Sequence, residues 1–158
     1  MPTNLLVRPY RDTDWGRLCV IHDAARLDEL RQSAGVAAFL PLTQAAENEG
    51  LFDYTVCVAE ADGRVDGFVA FSDDELAWLY VDPACYRRGI GRALVRHAVN
   101  SAPGPLTVEV LEGNEAALRL YLDEGFRQLR RVEGRMAGND AFPAVARVLR
   151  HMPSVSRA

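Results

Sequence analysis

The chain has 158 residues, 49% hydrophobic and 25% charged, which fits one folded domain with a sizeable core rather than a disordered or fibrous chain. Eighteen Lys and Arg against twenty-two Asp and Glu leave a formal charge of −4, which argues against non-specific nucleic-acid binding. Three cysteines without short paired spacing argue against a disulfide framework or a metal site, and the lack of a long apolar run or signal peptide points to a cytoplasmic protein with no membrane association.

In chain order, Asn4 to Arg8 reads as a short strand stopped by Pro9, with Leu5 and Val7 on one face. Asp12 or Thr13 is placed to cap a helix carrying Trp15, Leu18, Ile21, Ala25 and Leu27. A second helical stretch, about Val36 to Glu49, has Pro41 as its natural break. Tyr54 to Glu60 and Arg64 to Phe71 flank an Ala61-Asp62-Gly63 turn and read as a hairpin. Leu76 to Val81 is an apolar run of strand length, stopped by Asp82-Pro83. Gly89 to Asn100 is helical, with Ile90, Leu94 and Ala98 on one face. Leu106 to Leu111 is a strand, and Asn114 to Glu124 a helix ending at Gly125. Two last strands are expected near Phe126 to Glu133 and Ala144 to His151, with a loop from Gly134 to Pro143 between them.

The order is β-α-α-β-β-β-α-β-α-β-β. It predicts a single α/β (α+β) domain on a central mixed, mostly antiparallel sheet of roughly six or seven strands flanked by about four helices. Adjacent strands without helical crossovers exclude a doubly wound fold.

The segment Tyr86-Arg87-Arg88-Gly89-Ile90-Gly91-Arg92-Ala93 carries the first chemical signal. It follows an apolar strand and opens a helix, where the first N–H groups have no internal partners and the helix dipole favours an anion. Glycines let the backbone approach closely, and Arg87, Arg88 and Arg92 place positive charge where a diphosphate would sit. A dinucleotide fingerprint needs a third Gly where Leu94 stands, and the phosphate-loop Lys-Ser/Thr pair is absent.

From these residues the chain resembles the GNAT superfamily of N-acetyltransferases. Val81, Pro83, Gly89 and Gly91 stand at the spacing of that family's strand–V-x-P–[Q/R]-x-x-G-x-[G/A]–helix motif. Asn114, Tyr121 and Gly125-Phe126 match its later N-x(6)-Y-x(3)-GF pattern, so the likeness spans about Tyr54 to Arg131. Tyr86 departs from it, standing where the family usually has Gln or Arg.

The resemblance implies direct transfer of an acetyl group from acetyl-CoA to a primary amine, with no covalent acyl-enzyme and no metal. It places the diphosphate on Arg87, Arg88, Gly89, Ile90, Gly91, Arg92 and Ala93. The pantetheine arm would lie along the backbone of Leu79, Tyr80 and Val81, with Asn114 contacting it and Tyr121 pointing at the sulfur. Such a reaction needs a proton acceptor for the ammonium, donors for the developing oxyanion and an acid for the leaving thiolate. Tyr121 is the candidate acid. Asn114 and Tyr121, seven residues apart, fall on one side of a helix. Glu75 and Glu109 are alternative bases, each also readable as a solvent-facing strand residue; Asp73-Asp74-Glu75 additionally attracts cations, which tips the reading to Glu75.

Acceptor specificity is expected in the helices of about residues 12–50 and the Gly134–Pro143 loop, beside an acetyl-CoA-binding core at about 54–131. A small molecule or a peptide both fit. A non-catalytic acetyl-CoA sensor is the alternative reading; a longer-chain acyltransferase is opposed by bulky Trp78 and Tyr80. His22, His97 and His151 are scattered, and Cys85 reads as a packed residue. Val145 to Val148 offers an apolar edge for a homodimer, or for another strand of the same chain.

Overall fold

The computed structural model describes residues 4–153. Seven strands and four longer helices follow the predicted order. They are β1 (Leu5–Pro9), α1 (Trp15–Arg31), α2 (Leu42–Glu49), β2 (Thr55–Ala61), β3 (Arg64–Phe71), β4 (Leu76–Val81), α3 (Ile90–Ser101), β5 (Thr107–Leu111), α4 (Glu115–Asp123), β6 (Phe126–Met136) and β7 (Asn139–His151).

The strands do not form one continuous sheet. They divide into an antiparallel sheet β1-β2-β3-β4 and an antiparallel sheet β5-β7-β6. The two meet through a parallel bridge between Glu75 and Thr107, reinforced by Thr107 N–H donating to the Asp74 carbonyl at 2.9 Å. Beyond it, β4 and β5 part. The apolar run of β4 also holds a bulge: Ala70 faces Trp78 but Phe71 faces Leu76, so Ala77 is one residue too many. Bulges bend a strand and increase its twist, which suits divergence from a neighbour. The bulge also explains why Ala77 and Trp78 share one face whereas Leu76 and Leu79 pack on the other.

One core spans both sheets. Ile90, Leu94, Val95 and Ala98 of α3 and Tyr121 of α4 pack against Val69, Phe71, Val108, Val110 and Leu149. The second core lies on the opposite face of the first sheet, where Leu18 and Ile21 of α1 and Leu42 and Ala45 of α2 cover Val58, Phe68 and Trp78. On one face, then, helices close the gap between the sheets; on the other it stays open.

Several local expectations are corrected. The first helix is preceded by a 3-10 turn, and neither Asp12 nor Thr13 caps it; Asp14 instead accepts the Arg11 N–H at 2.9 Å. Pro9 belongs to β1, on an edge strand where its missing N–H costs no ladder bond. The break expected at Pro41 does occur, dividing the stretch from Val36 into a 3-10 turn and α2. The expected Gly134–Pro143 loop is a hairpin whose turn is only Ala137-Gly138, with Arg135 opposite Pro143. Val145 to Val148 is no free edge, because β7 lies between β5 and β6. No helix among the described residues is long and apolar enough to cross a membrane.

Asp14 ties β1 to α1 through a two-toothed bond with Arg8, at 2.9 and 3.0 Å, between side chains only 8% and 10% exposed. The Arg8 guanidinium, more than the opposing burial, holds the Asp14 carboxyl below its ordinary 3.8. Its stabilisation is therefore complete above that ordinary value and is lost as pH falls through the lower folded value. Asp14→Ala leaves a largely buried guanidinium with only the Pro9 carbonyl at 3.0 Å and Glu60 at 3.7 Å, and should cost about 2 kcal/mol in urea denaturation at pH 7. The gap from wild type should narrow when the same measurement is made below about pH 4.

Candidate active site

The phosphate turn starts where β4 ends. Asp82 accepts the Ala84 N–H on its side chain at 3.0 Å and the Cys85 N–H on its carbonyl at 2.7 Å. Arg17 of α1 fastens this corner, donating to Asp82 at 2.6 Å, Asp66 at 3.0 Å and the Val65 carbonyl at 2.7 Å. Asp66, Asp82 and buried Cys85 bring three metal-type ligands together, but Arg17 and Arg64 already supply the positive charge there.

The chain then enters α3 through two left-handed residues, Arg87 at φ 65° and Gly89 at φ 81°. The helical ladder begins with Ala93 N–H to the Gly89 carbonyl at 3.1 Å, so the amides just before it are the helix's orphan donors. Ile90 is buried beneath as an anchor, while Arg87 and Arg88 are exposed. Arg92 reaches Glu124, the C-cap of α4, at 3.3 Å. Gly91 has a different use from Gly89: a Cβ there would stand 3.2 Å from Leu120 Cδ2, so it lets α4 lie close against α3. Tyr86 is 46% exposed and its phenol meets Asp28 of α1; burial first, then that carboxylate, pushes the phenol up to about 12.

The open gap is a cleft of about 780 Å³. Leu76 to Tyr80 of β4 and Val108 to Leu111 of β5 form its diverging walls, and α1, α2 and the tip of the β6–β7 hairpin close over it. Asn48 and Asn139 clamp that tip, donating at 3.0 Å to the Gly138 and Ala38 carbonyls.

Tyr121 lines the cleft with 4% of its surface exposed and stacks edge-on against Phe126 at 5.1 Å. Burial, followed by Glu29, raises its phenol well above the usual value. Asn114 is the α4 N-cap rather than a helical residue: its side-chain oxygen accepts the Ala117 N–H at 3.3 Å. Its amide nitrogen donates into the cleft, to Glu29 at 3.2 Å. Glu29 also accepts the Tyr80 hydroxyl at 3.2 Å and pairs with Arg26. Burial, then Glu29, raises the Tyr80 phenol far above its ordinary range. Leu79 and Val81 turn to the α3 side.

Glu75 sits at the closed end, exposed, and accepts the Tyr54 hydroxyl at 2.8 Å. That bond is the largest influence raising the Tyr54 phenol to about 12. Glu109, opposite Val148 on β5, lines the cleft and is exposed. Tyr121, Asn114, Glu75 and Glu109, the candidates from the sequence, all line this one cleft. Arg26, Glu29 and Glu49 fell within the acceptor-shaping region of about residues 12–50 without an individual role, and Tyr54 had none. His22 lines the cleft as well, buried, bonded to Asp23 at 2.9 Å and held below its usual value by burial.

A family model described as "Acetyltransferase (GNAT) domain" matches residues 52–128. Peptidyl-lysine N-acetyltransferase YjaB of Escherichia coli is 41% identical over 78 residues, 49% of this chain and 52% of that protein. The solution structure of its apo form superposes with a TM-score of 0.70 over 96% of this chain and all of that one, at 26% identity. N-alpha-acetyltransferase RimI of Mycobacterium tuberculosis is 44% identical over 95 residues, 53% of this chain and 60% of that protein. The chain thus spans about half the length of the curated relatives it matches. The fold is shared with yncA of Salmonella typhimurium, whose structure holds its cofactor acetyl-CoA, at a TM-score of 0.69 and 21% identity over 99% of both chains.

Removing Glu29 leaves Arg26, Tyr80 and Asn114 as half-buried donors without their shared acceptor. Glu29→Ala should cost about 1–3 kcal/mol of stability, read as a lower chemical-denaturation midpoint with unchanged slope.

Proposed function

We propose that the chain is a member of the GNAT superfamily, whose domain model matches residues 52–128, and that it moves an acetyl group directly from acetyl-CoA to a primary amine on a peptide or small molecule. The observation that carries this is that one strand, β4, runs directly into the phosphate turn and also walls an acidic cleft with the edge that parts from β5.

The residues present fit the donor. The amides ahead of Ala93, Gly89 in its left-handed conformation and the exposed Arg87 and Arg88 suit a diphosphate. Arg92 and Ala93 continue that first helical turn. Past Glu75, β4 is the outer strand of its sheet, so the backbone of Leu79, Tyr80 and Val81 offers an edge on which an amide-bearing arm adds like a strand. Asn114 reaches the same space and exchanges Glu29 for such an arm. When bound, acetyl-CoA supplies an activated acyl group and a thiolate leaving group.

Tyr121 protonates the departing sulfur. Its raised phenol stays protonated at neutral pH, as a general acid must. Glu29, Glu49, Glu75 and Glu109 around the cleft favour a cationic acceptor. The acceptor is therefore an ammonium group, and the activities named for YjaB and RimI point to a lysine side chain or a peptide N-terminus.

Incubation with acetyl-CoA and a panel of amines, followed by free-thiol release, tests the reading. Lysine-bearing or free N-terminal peptides should release thiol; CoA binding without release for any amine would leave a sensing domain instead. Tyr121→Phe should lower kcat about 100-fold, and a loss under threefold would remove Tyr121 from the acid role. Calorimetry should show CoA affinity falling at least about tenfold in Gly89→Val, where a branched side chain meets a positive φ, and changing little in Tyr86→Phe. The reverse order would undo the diphosphate assignment.

A further inference from the structure

The carboxylates facing the cleft differ in what already holds them. Glu29 is taken by Arg26, Tyr80 and Asn114. Glu75 accepts the Tyr54 phenol. Glu109 of β5 and Glu49, the last residue of α2, line the same space with no donor or cation among the described residues within bonding reach of their oxygens, and of the two it is Glu49 that the hairpin tip packs against.

Its position is fixed from behind. Gly138 at the hairpin tip presses so closely that a Cβ there would stand 2.6 Å from Glu49 Cγ, and neighbouring Asn48 holds the Gly138 carbonyl at 3.0 Å. The side chain is steered into the cleft, at the negative end of α2, where a cation is favoured.

We infer that Glu49 receives the ammonium of the acceptor and takes its proton, an assignment that rests on the acetyl transfer proposed above. One ammonium N–H bond breaks and its proton passes to the Glu49 carboxylate. The freed nitrogen lone pair attacks the thioester carbonyl carbon, and the C–S bond breaks with its electron pair leaving on sulfur. Nitrogen loses a second proton as sulfur gains one from Tyr121, which is reprotonated in turn. The net products are the acetamide, the thiol and one proton that Glu49 returns to water.

The surroundings suit that role. Facing Glu49 are Arg26 and Glu29 from α1, Tyr54 ahead of β2, Tyr80 from β4, and Glu133 and Arg135 from β6, with His22 buried behind. The residue is open to water, but the concave wall crowds its carboxyl. Burial outweighs the opposing Arg26 and, with Glu29, pushes it up to about 6, where a base both accepts and releases a proton near neutrality.

The test uses a terminally blocked peptide carrying one lysine. The kcat/KM of the wild type should rise with pH through a midpoint near 6; Glu49→Gln should flatten that limb and lower the plateau about 100-fold, and Glu49→Asp should restore part of it. An unchanged melting temperature excludes misfolding as the cause. Separately, without acetyl-CoA, the Glu49 carboxyl carbon should titrate by NMR near 6, and the peptide should lower that midpoint because a cation favours the carboxylate. A retained limb in Glu49→Gln, its loss in Glu75→Gln or Glu109→Gln instead, an ordinary midpoint near 4.5, or no response to the peptide would each overturn the assignment. Absence of turnover with every amine would count against acetyl transfer itself, and the NMR titration would still decide whether Glu49 meets the cation.

Discussion

The parting of β4 from β5 after a single bridge at Glu75 and Thr107 is the constraint on which the rest of the molecule depends. Strands whose hydrogen-bonding edges face apolar surroundings without partners are unfavourable, so a gap inside a domain must be held open by something else. Here the bulge at Ala77 turns β4 away, and α3 and α4 bind both sheets on one face, fixing the angle between them. The other face stays open because α1 and α2 pack on the first sheet while the β6–β7 hairpin reaches across to them. The site is the space those commitments leave.

Charge differs between the phosphate turn and the cleft. Arginines crowd the turn, with Arg17 and Arg64 neutralising Asp66 and Asp82 beneath it. Glutamates line the cleft. Among them, Glu29 gathers the donors of Arg26, Tyr80 and Asn114, so the cleft's shape without ligand depends on one carboxylate from α1. Tyr86 of the phosphate turn meets Asp28, one residue earlier on that helix. The phosphate turn and the middle of the cleft are thereby tied to the same turn of α1.

What the sequence disclosed follows from how local each feature is. The phosphate turn is one contiguous segment, and Asn114 and Tyr121 belong to one capped helix, so a motif resemblance over a short stretch was enough to mark them as candidates. Glu29 meets Tyr80 and Asn114 across 51 and 85 residues of chain, separations that no spacing pattern marks. The hairpin tip read as a loop because Gly134, Gly138, Asn139 and Pro143 are turn-type residues. Pro143 is tolerated because β5 pairs with β7 only from Ala146 onward, leaving its side of the strand without a ladder to break. That hairpin places Gly138 against Glu49, which is why a glutamate at a helix end carried no visible signal. The bulge in β4 was hidden for a related reason: a run buried on both faces shows no alternation to interrupt.

A crystal structure of the protein with CoA addresses the central claim most directly. The account predicts the diphosphate on the amides from Arg88 to Gly91, the pantetheine arm between β4 and β5 against Leu79 to Val81, and the Asn114 amide moved from Glu29 to that arm. CoA bound outside the gap, or the gap closed with Asn114 still on Glu29, would contradict it.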